Sequence, residues 1–177
     1  MTNLKNYLEA KVNSRGNKNL NYLSSFFSET ELAILSNKTI SIVGTNGKSS
    51  TANNIAMLLK GLDKSYIAFT SPHLFDYKER MTAHKDLNFN EYIQYLENFE
   101  LKNNINLGYF ESTFLIAAKA FLHNDMDYFI CEAGIGGKYD TTSVIQSKTV
   151  VLTSIGLDHT DICLLYTSPS PRDTDKS

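Results

Sequence analysis

The chain has 177 residues, enough for one domain with a core of its own. An apolar share of 42%, a charged share of 20% and a net charge of −2 describe an ordinary soluble globular protein. They exclude any general affinity for nucleic acid or an anionic membrane, so phosphate binding would need a local site. Two cysteines, Cys131 and Cys163, make no disulfide framework and fit a reducing compartment. No leader with a basic start and apolar core opens the chain, and no apolar run reaches the ~18 residues of a membrane span. A cytoplasmic location is expected.

Residues 1–38 read as helix and loop, with Leu4, Tyr7, Leu8 and Val12 at roughly helical spacing. Ser28-Glu-Thr-Glu31 fits a capping box ahead of Leu32, Ile34 and Leu35. Thr39–Val43 is short, β-branched and apolar, as a buried strand is. A glycine-containing turn leads to a predicted helix over Lys48–Leu62, and Ser65–Phe69 reads as a second strand. Residues 70–87 read as a long loop. Phe89, Tyr92, Ile93, Leu96 and Phe99 give helical periodicity to Asn88–Lys102, and a further helix is expected over Glu111–His123. Tyr128–Glu132 and Thr149–Thr153 complete four strands. Residues 162–177 hold two of the three prolines and no periodic pattern; they read as a disordered tail or as sequence foreign to the gene.

Strands alternating with helices imply an α/β fold, a mostly parallel sheet with helices on both faces. Ligands in such sheets bind beyond the carboxyl ends of the strands. The segments richest in glycine, hydroxyl and charged residues follow the strands: Gly44–Ser50, Ser71-Pro72-His73, Glu132–Asp140 and Asp158-His159. Four loops should therefore converge on one sheet edge.

The first of them, Gly44-Thr45-Asn46-Gly47-Lys48-Ser49-Ser50, stands between a strand and a helix. Glycines let backbone N–H groups turn around an anion, and a helix N-terminus adds donors and partial positive charge. Lys48 can reach the outer phosphates of ATP, and a following hydroxyl can bind Mg²⁺. The leading glycine of the general P-loop pattern is absent, Ile42 and Val43 standing there, which speaks against a P-loop kinase or GTPase. A glycine turn before an ordinary helix start is the plain alternative. GTNGK followed by hydroxyl residues resembles the nucleotide loop of the Mur ligase superfamily. Its folate branch, the folylpolyglutamate and dihydrofolate synthases, uses G-T-N-G-K-G-S; here Ser49 replaces that glycine and Ser50 takes the hydroxyl position.

Four further stretches carry the resemblance. Thr70-Ser71-Pro72-His73-Leu74, then Glu79-Arg80-Met81, is similar to the branch's T-S-P-H-L…E-R-I, which implies that Ser71 is a Mg²⁺ ligand; read alone, Ser71-Pro72 is a turn. Phe110-Glu111-Ser112-Thr113 is similar to F-E-x-T and implies that Tyr109, Phe110 and Glu111 border the pterin, although a glutamate at a helix start is favoured in any protein. Glu132-Ala-Gly-Ile-Gly-Gly-Lys-Tyr-Asp140-Thr141-Thr-Ser143-Val is similar to E-V-G-L-G-G-R-L-D-A-T-N-V. A carboxylate at the phosphate edge makes sense with a cation between it and the phosphates. Lys138, Tyr139 and Ser143 depart from the branch's Arg, Leu and Asn; Tyr139, Asp140 and Thr141 fall where the family contacts pterin. Ser154-Ile-Gly-Leu-Asp158-His159 is similar to I-x-x-D-H, which implies that His159 is a Mg²⁺ ligand. From its residues alone it reads as a neutral histidine held by Asp158, a base, or as a structural one.

The resemblance implies a ligase that uses Mg²⁺ and ATP to join L-glutamate to a folate or dihydropteroate carboxylate, with Lys48, Glu132 and His159 at the chemistry. It implies a monomer acting on small molecules. It covers about residues 20–161, so residues 1–161 are expected to form a truncated N-terminal and central ATP-binding domain without the C-terminal ligase domain, and to be inactive alone. A peptidoglycan Mur ligase carries a separate domain before the loop, and 43 residues before Gly44 are too few for one. A nucleotide-binding module without catalysis is the remaining rival.

Overall fold

The computed structural model describes residues 3–12, 20–134 and 140–156. The apolar, β-branched runs pair into a five-stranded sheet: β1 (Thr39–Val43), β2 (Tyr66–Phe69), β3 (Met81–Ala83), β4 (Tyr128–Glu132) and β5 (Thr149–Leu152), in the order β3-β2-β4-β1-β5. All pairings are parallel except β3 on β2. The four expected strands are present to within a residue at each end. β3 lies in the stretch that reads as loop, because three residues are too few to display an alternation. A 3-10 turn, Tyr77–Arg80, runs directly into it.

Strand alternation sorts the core onto two faces. Ile67, Phe69, Phe129 and Cys131 point to one side and pack with Phe114, Leu115 and Phe121 of α6 (Tyr109–His123). Tyr66, Ala68, Ile130 and Ile42 point to the other and meet Ala52, Ala56 and Leu59 of α4 (Lys48–Gly61). Each large side chain fully buried in this way contributes about 1.5–3 kcal/mol. The remaining helices, α1 (Leu4–Glu9), α2 (Leu20–Ser24), α3 (Glu29–Lys38) and α5 (Ile93–Asn103), add to the α6 side, where Leu8, Leu23, Leu35 and Leu96 join the same cluster.

The local signals act as expected. Ser28 Oγ accepts from Glu31 N and a Glu31 carboxylate oxygen accepts from Ser28 N, closing the capping box of α3. The helix expected over Asn88–Lys102 opens as a 3-10 turn, Phe89–Tyr92, and continues as α5 to a left-handed Asn104. Glu100 of α5 then fixes the start of α6. Its Oε1 accepts from Lys11 Nζ and Leu107 N, both at 2.6 Å, and its Oε2 accepts from Tyr7 OH at 3.0 Å. Burial, with Glu100 beside it, pushes the Tyr7 phenol well above its ordinary pKa.

Candidate nucleotide site

The loop after β1 takes its shape from two glycines. Gly44 has φ +137°, and a Cβ there would meet Thr153 Oγ1 at 2.3 Å. Gly47 has φ +82° and caps α4. The segment after β5 is stitched to this loop. Thr45 N donates to Ser154 O and Asn46 N to Ser154 Oγ, both at 2.9 Å, while Gly156 N donates to Thr45 Oγ1 at 2.9 Å. Two loop amides are thus engaged by Ser154, and the first turn of α4, which no side chain caps, offers its amides to an anion. Lys48 Nζ donates to the carbonyls of Gly44, 2.8 Å, and Thr45, 3.1 Å.

Glu132 closes the cleft. It ends β4 in register with Ile42, so its side chain points to the α4 face. Oε1 accepts from Ser49 Oγ at 2.9 Å and Oε2 from Ser71 N at 3.1 Å. The residue is 2% exposed. Burial raises its pKa above the ordinary carboxylate range, against the opposing pull of the Ser71 N–H, the Ser49 hydroxyl, Lys48 and Arg80. Lys48, Ser50, Ser71, Arg80, Phe110 and Glu132 line a cavity of about 460 Å³. Three of the four expected loops therefore converge. Among the described residues no three His, Cys, Asp or Glu side chains gather; what gathers is one carboxylate with the hydroxyls of Ser49, Ser50 and Ser71. An all-oxygen set with a buried carboxylate fits Mg²⁺, which uses few protein ligands and keeps waters. His159, Asp158, Lys138 and Tyr139 lie outside the described residues.

The remaining expected residues cluster beside the cleft. Phe110 packs edge-on against Phe69, with ring centroids 5.3 Å apart, and Gly134 lies against its ring. Glu111 is buried and accepts from Thr141 Oγ1 at 3.2 Å. Asp140 is buried; its Oδ1 accepts from Thr142 N and Oγ1 and opens the 3-10 turn Thr141–Val144. Burial raises the phenol of Tyr109, against Arg80 over its ring. Arg80 and Ser154 are the residues given no role from sequence. Arg80 stands in the quoted E-R-M stretch, but only the folded 70–87 segment brings it to Glu132.

Sheet, loop and cleft define a phosphate-loop α/β domain of Mur ligase type. No protein-family model matches the chain. The dihydrofolate synthase/folylpolyglutamate synthase of Buchnera aphidicola subsp. Schizaphis graminum is 37% identical over 166 residues, 89% of this chain and 38% of that protein. Escherichia coli FolC, solved in complex with DHPP and ADP, superposes with a TM-score of 0.75 at 29% identity, over 93% of this chain and 39% of that one. A bifunctional folylpolyglutamate synthase/dihydrofolate synthase with Mn, AMPPNP and L-glutamate bound gives 0.71 at 29% identity, over 94% and 40%. The chain belongs to the dihydrofolate synthase/folylpolyglutamate synthase family and spans less than half the length of these relatives.

Proposed function

We propose that the chain supplies the nucleotide-binding part of an ATP-dependent ligase that joins L-glutamate to a folate or dihydropteroate carboxylate. The observation that carries this reading is the meeting of Glu132 with Ser49 and Ser71 beside Lys48. On this reading the first-turn amides of α4 bind the phosphates and Lys48 turns from the loop carbonyls to the outermost one. Glu132, Ser50 and Ser71, with His159, would hold Mg²⁺, which when bound offsets charge between carboxylate and phosphates. The folate or pteroate carboxylate attacks the γ-phosphorus and ADP leaves, giving an acyl phosphate. The glutamate amine then attacks the acyl carbon, phosphate leaves, and the amine gives up a proton. The chain's residues contribute positioning and charge stabilisation. Tyr109, Phe110, Glu111, Tyr139, Asp140 and Thr141 are proposed to border the pterin. A cytoplasmic monomer is proposed as well; among the described residues no helix is long and apolar enough to cross a membrane.

Calorimetric titration of Mg·ATP into the chain tests this. Binding should require Mg²⁺ and weaken by about tenfold or more in Lys48→Ala, the worth of one charge-assisted hydrogen bond. Heat independent of both Mg²⁺ and Lys48 would sink it.

A further inference from the structure

Arg80 is shared by two cavities. One is the cleft with Lys48 and Glu132; the other, about 340 Å³, is lined by Leu8, His73, Tyr77 and Tyr109. Its guanidinium lies over the Tyr109 ring, 5.0 Å from the centroid. Its Nε donates to His73 Nδ1 at 2.7 Å. The His73 ring in turn stacks on Tyr109, centroids 5.9 Å apart and planes 29° from parallel. Arg80 is therefore held on two sides, by an acceptor at Nε and by an aromatic face.

The choice of acceptor matters. Arginine stays protonated, so whatever accepts from Nε sets how much positive charge its outer nitrogens present. A carboxylate partner would offset that charge. A neutral imidazole accepting through Nδ1 fixes the orientation and leaves the charge whole. With Nε engaged, no described residue takes a hydrogen bond from the two terminal nitrogens, and Arg80 lines the same cleft as Lys48 and Glu132.

We propose that His73 is a positioning residue for Arg80, holding the guanidinium so that its terminal N–H groups meet the outermost phosphate of bound Mg·ATP. The inference rests on the nucleotide reading above. It assigns the histidine of the Ser71-Pro72-His73 stretch a task distinct from the hydroxyl of Ser71.

The test is titration of the full chain with Mg·AMPPNP and, separately, Mg·ADP, across four variants. Arg80→Ala should weaken AMPPNP by about tenfold, and His73→Phe, which keeps a ring over Tyr109 but has no acceptor, by about fivefold. The double variant should bind no more weakly than Arg80→Ala, because His73 acts only through Arg80. His73→Asn, whose Oδ1 can take the place of Nδ1, should return to within about twofold of the unaltered chain. ADP, without the outermost phosphate, should change by less than about twofold throughout. Thermal unfolding is followed in parallel; if His73→Phe does not fold, His73→Ala takes its place. Unchanged AMPPNP binding in His73→Phe, additive losses in the double variant, or failure of His73→Asn to rescue would each overturn the role of His73 alone. No AMPPNP binding by the unaltered chain would overturn the nucleotide reading and this inference with it.

Discussion

Two helices begin at the same edge of the sheet and are held there in opposite ways. α6 is buried from Glu111 to Phe121 without a break, with Phe114 and Phe121 packed on Phe69 and Phe129. α4 buries only Ala52, Ala56 and Leu59 against the sheet, with Ile55 partly buried beside them, and leaves Met57 72% and Leu58 67% exposed. The first is placed by apolar burial, the second by the geometry of its N-terminal loop and the hydrogen bonds of Ser154. Three of the residues proposed to border the pterin, Tyr109, Phe110 and Glu111, thus start a helix that is costly to move. Those proposed to face phosphate start one whose position depends on a few polar ties and two glycines.

The sharpest way to break this comparison is truncation on both helices. Phe114→Ala should lose about 3–5 kcal/mol of stability, the usual result for a fully buried phenylalanine. Met57→Ala should stay within about 0.5 kcal/mol. Urea denaturation of both reads the difference, and similar losses would mean that α4 is anchored by burial after all. Next in size is Gly44→Ala. At φ +137° and 2.3 Å from Thr153, the new methyl group strains the backbone and separates β5 from the loop. A loss of about 1–3 kcal/mol is expected, with weaker Mg·ATP binding on the same titration. Ser154→Ala removes the acceptor for Asn46 N and should lose about 1 kcal/mol, with nucleotide affinity falling alongside. If Ser154→Ala changed neither, the loop would hold its shape through Gly44 and the ties of Thr45 to Ser154 O and Gly156 N.

These predictions also mark what could be read before folding. β1, β2, β4 and β5 are legible because each is a short, β-branched or apolar run, even though β5, at the sheet edge, is largely exposed. Lys48 and Glu132 were visible because they stand directly after such strands, where a parallel sheet gathers its loops. Arg80 and Ser154 were not, since their places come from contacts distant in sequence: Ser154 meets Asn46 across 108 positions. The sequence places the start of α6 two residues late, at Glu111, because Gly108 precedes the helix and no side chain caps it. The 70–87 segment hid both β3 and Arg80, a three-residue strand offering no period to detect.

The smallest expected effect is the most informative about Glu132. Its carboxyl is raised above the ordinary range chiefly by burial. The native state then keeps a proton that the unfolded chain has already released, over the window between the ordinary carboxylate pKa and the raised one. Stability without metal must fall as pH rises through that window, and the loss is complete above it. Glu132→Gln keeps one oxygen acceptor for Ser49 or Ser71 and carries no charge to desolvate. In metal-free buffer it should match the parent chain at low pH and melt higher at pH 7, by under about 4 °C for a domain of this size. With Mg·ATP the order should reverse, since the substitution removes the charge that a cation would offset. A parent chain that melts higher than the variant at pH 7 without metal would show a carboxylate already satisfied by its neighbours, and the case for a cation beside Glu132 would go with it.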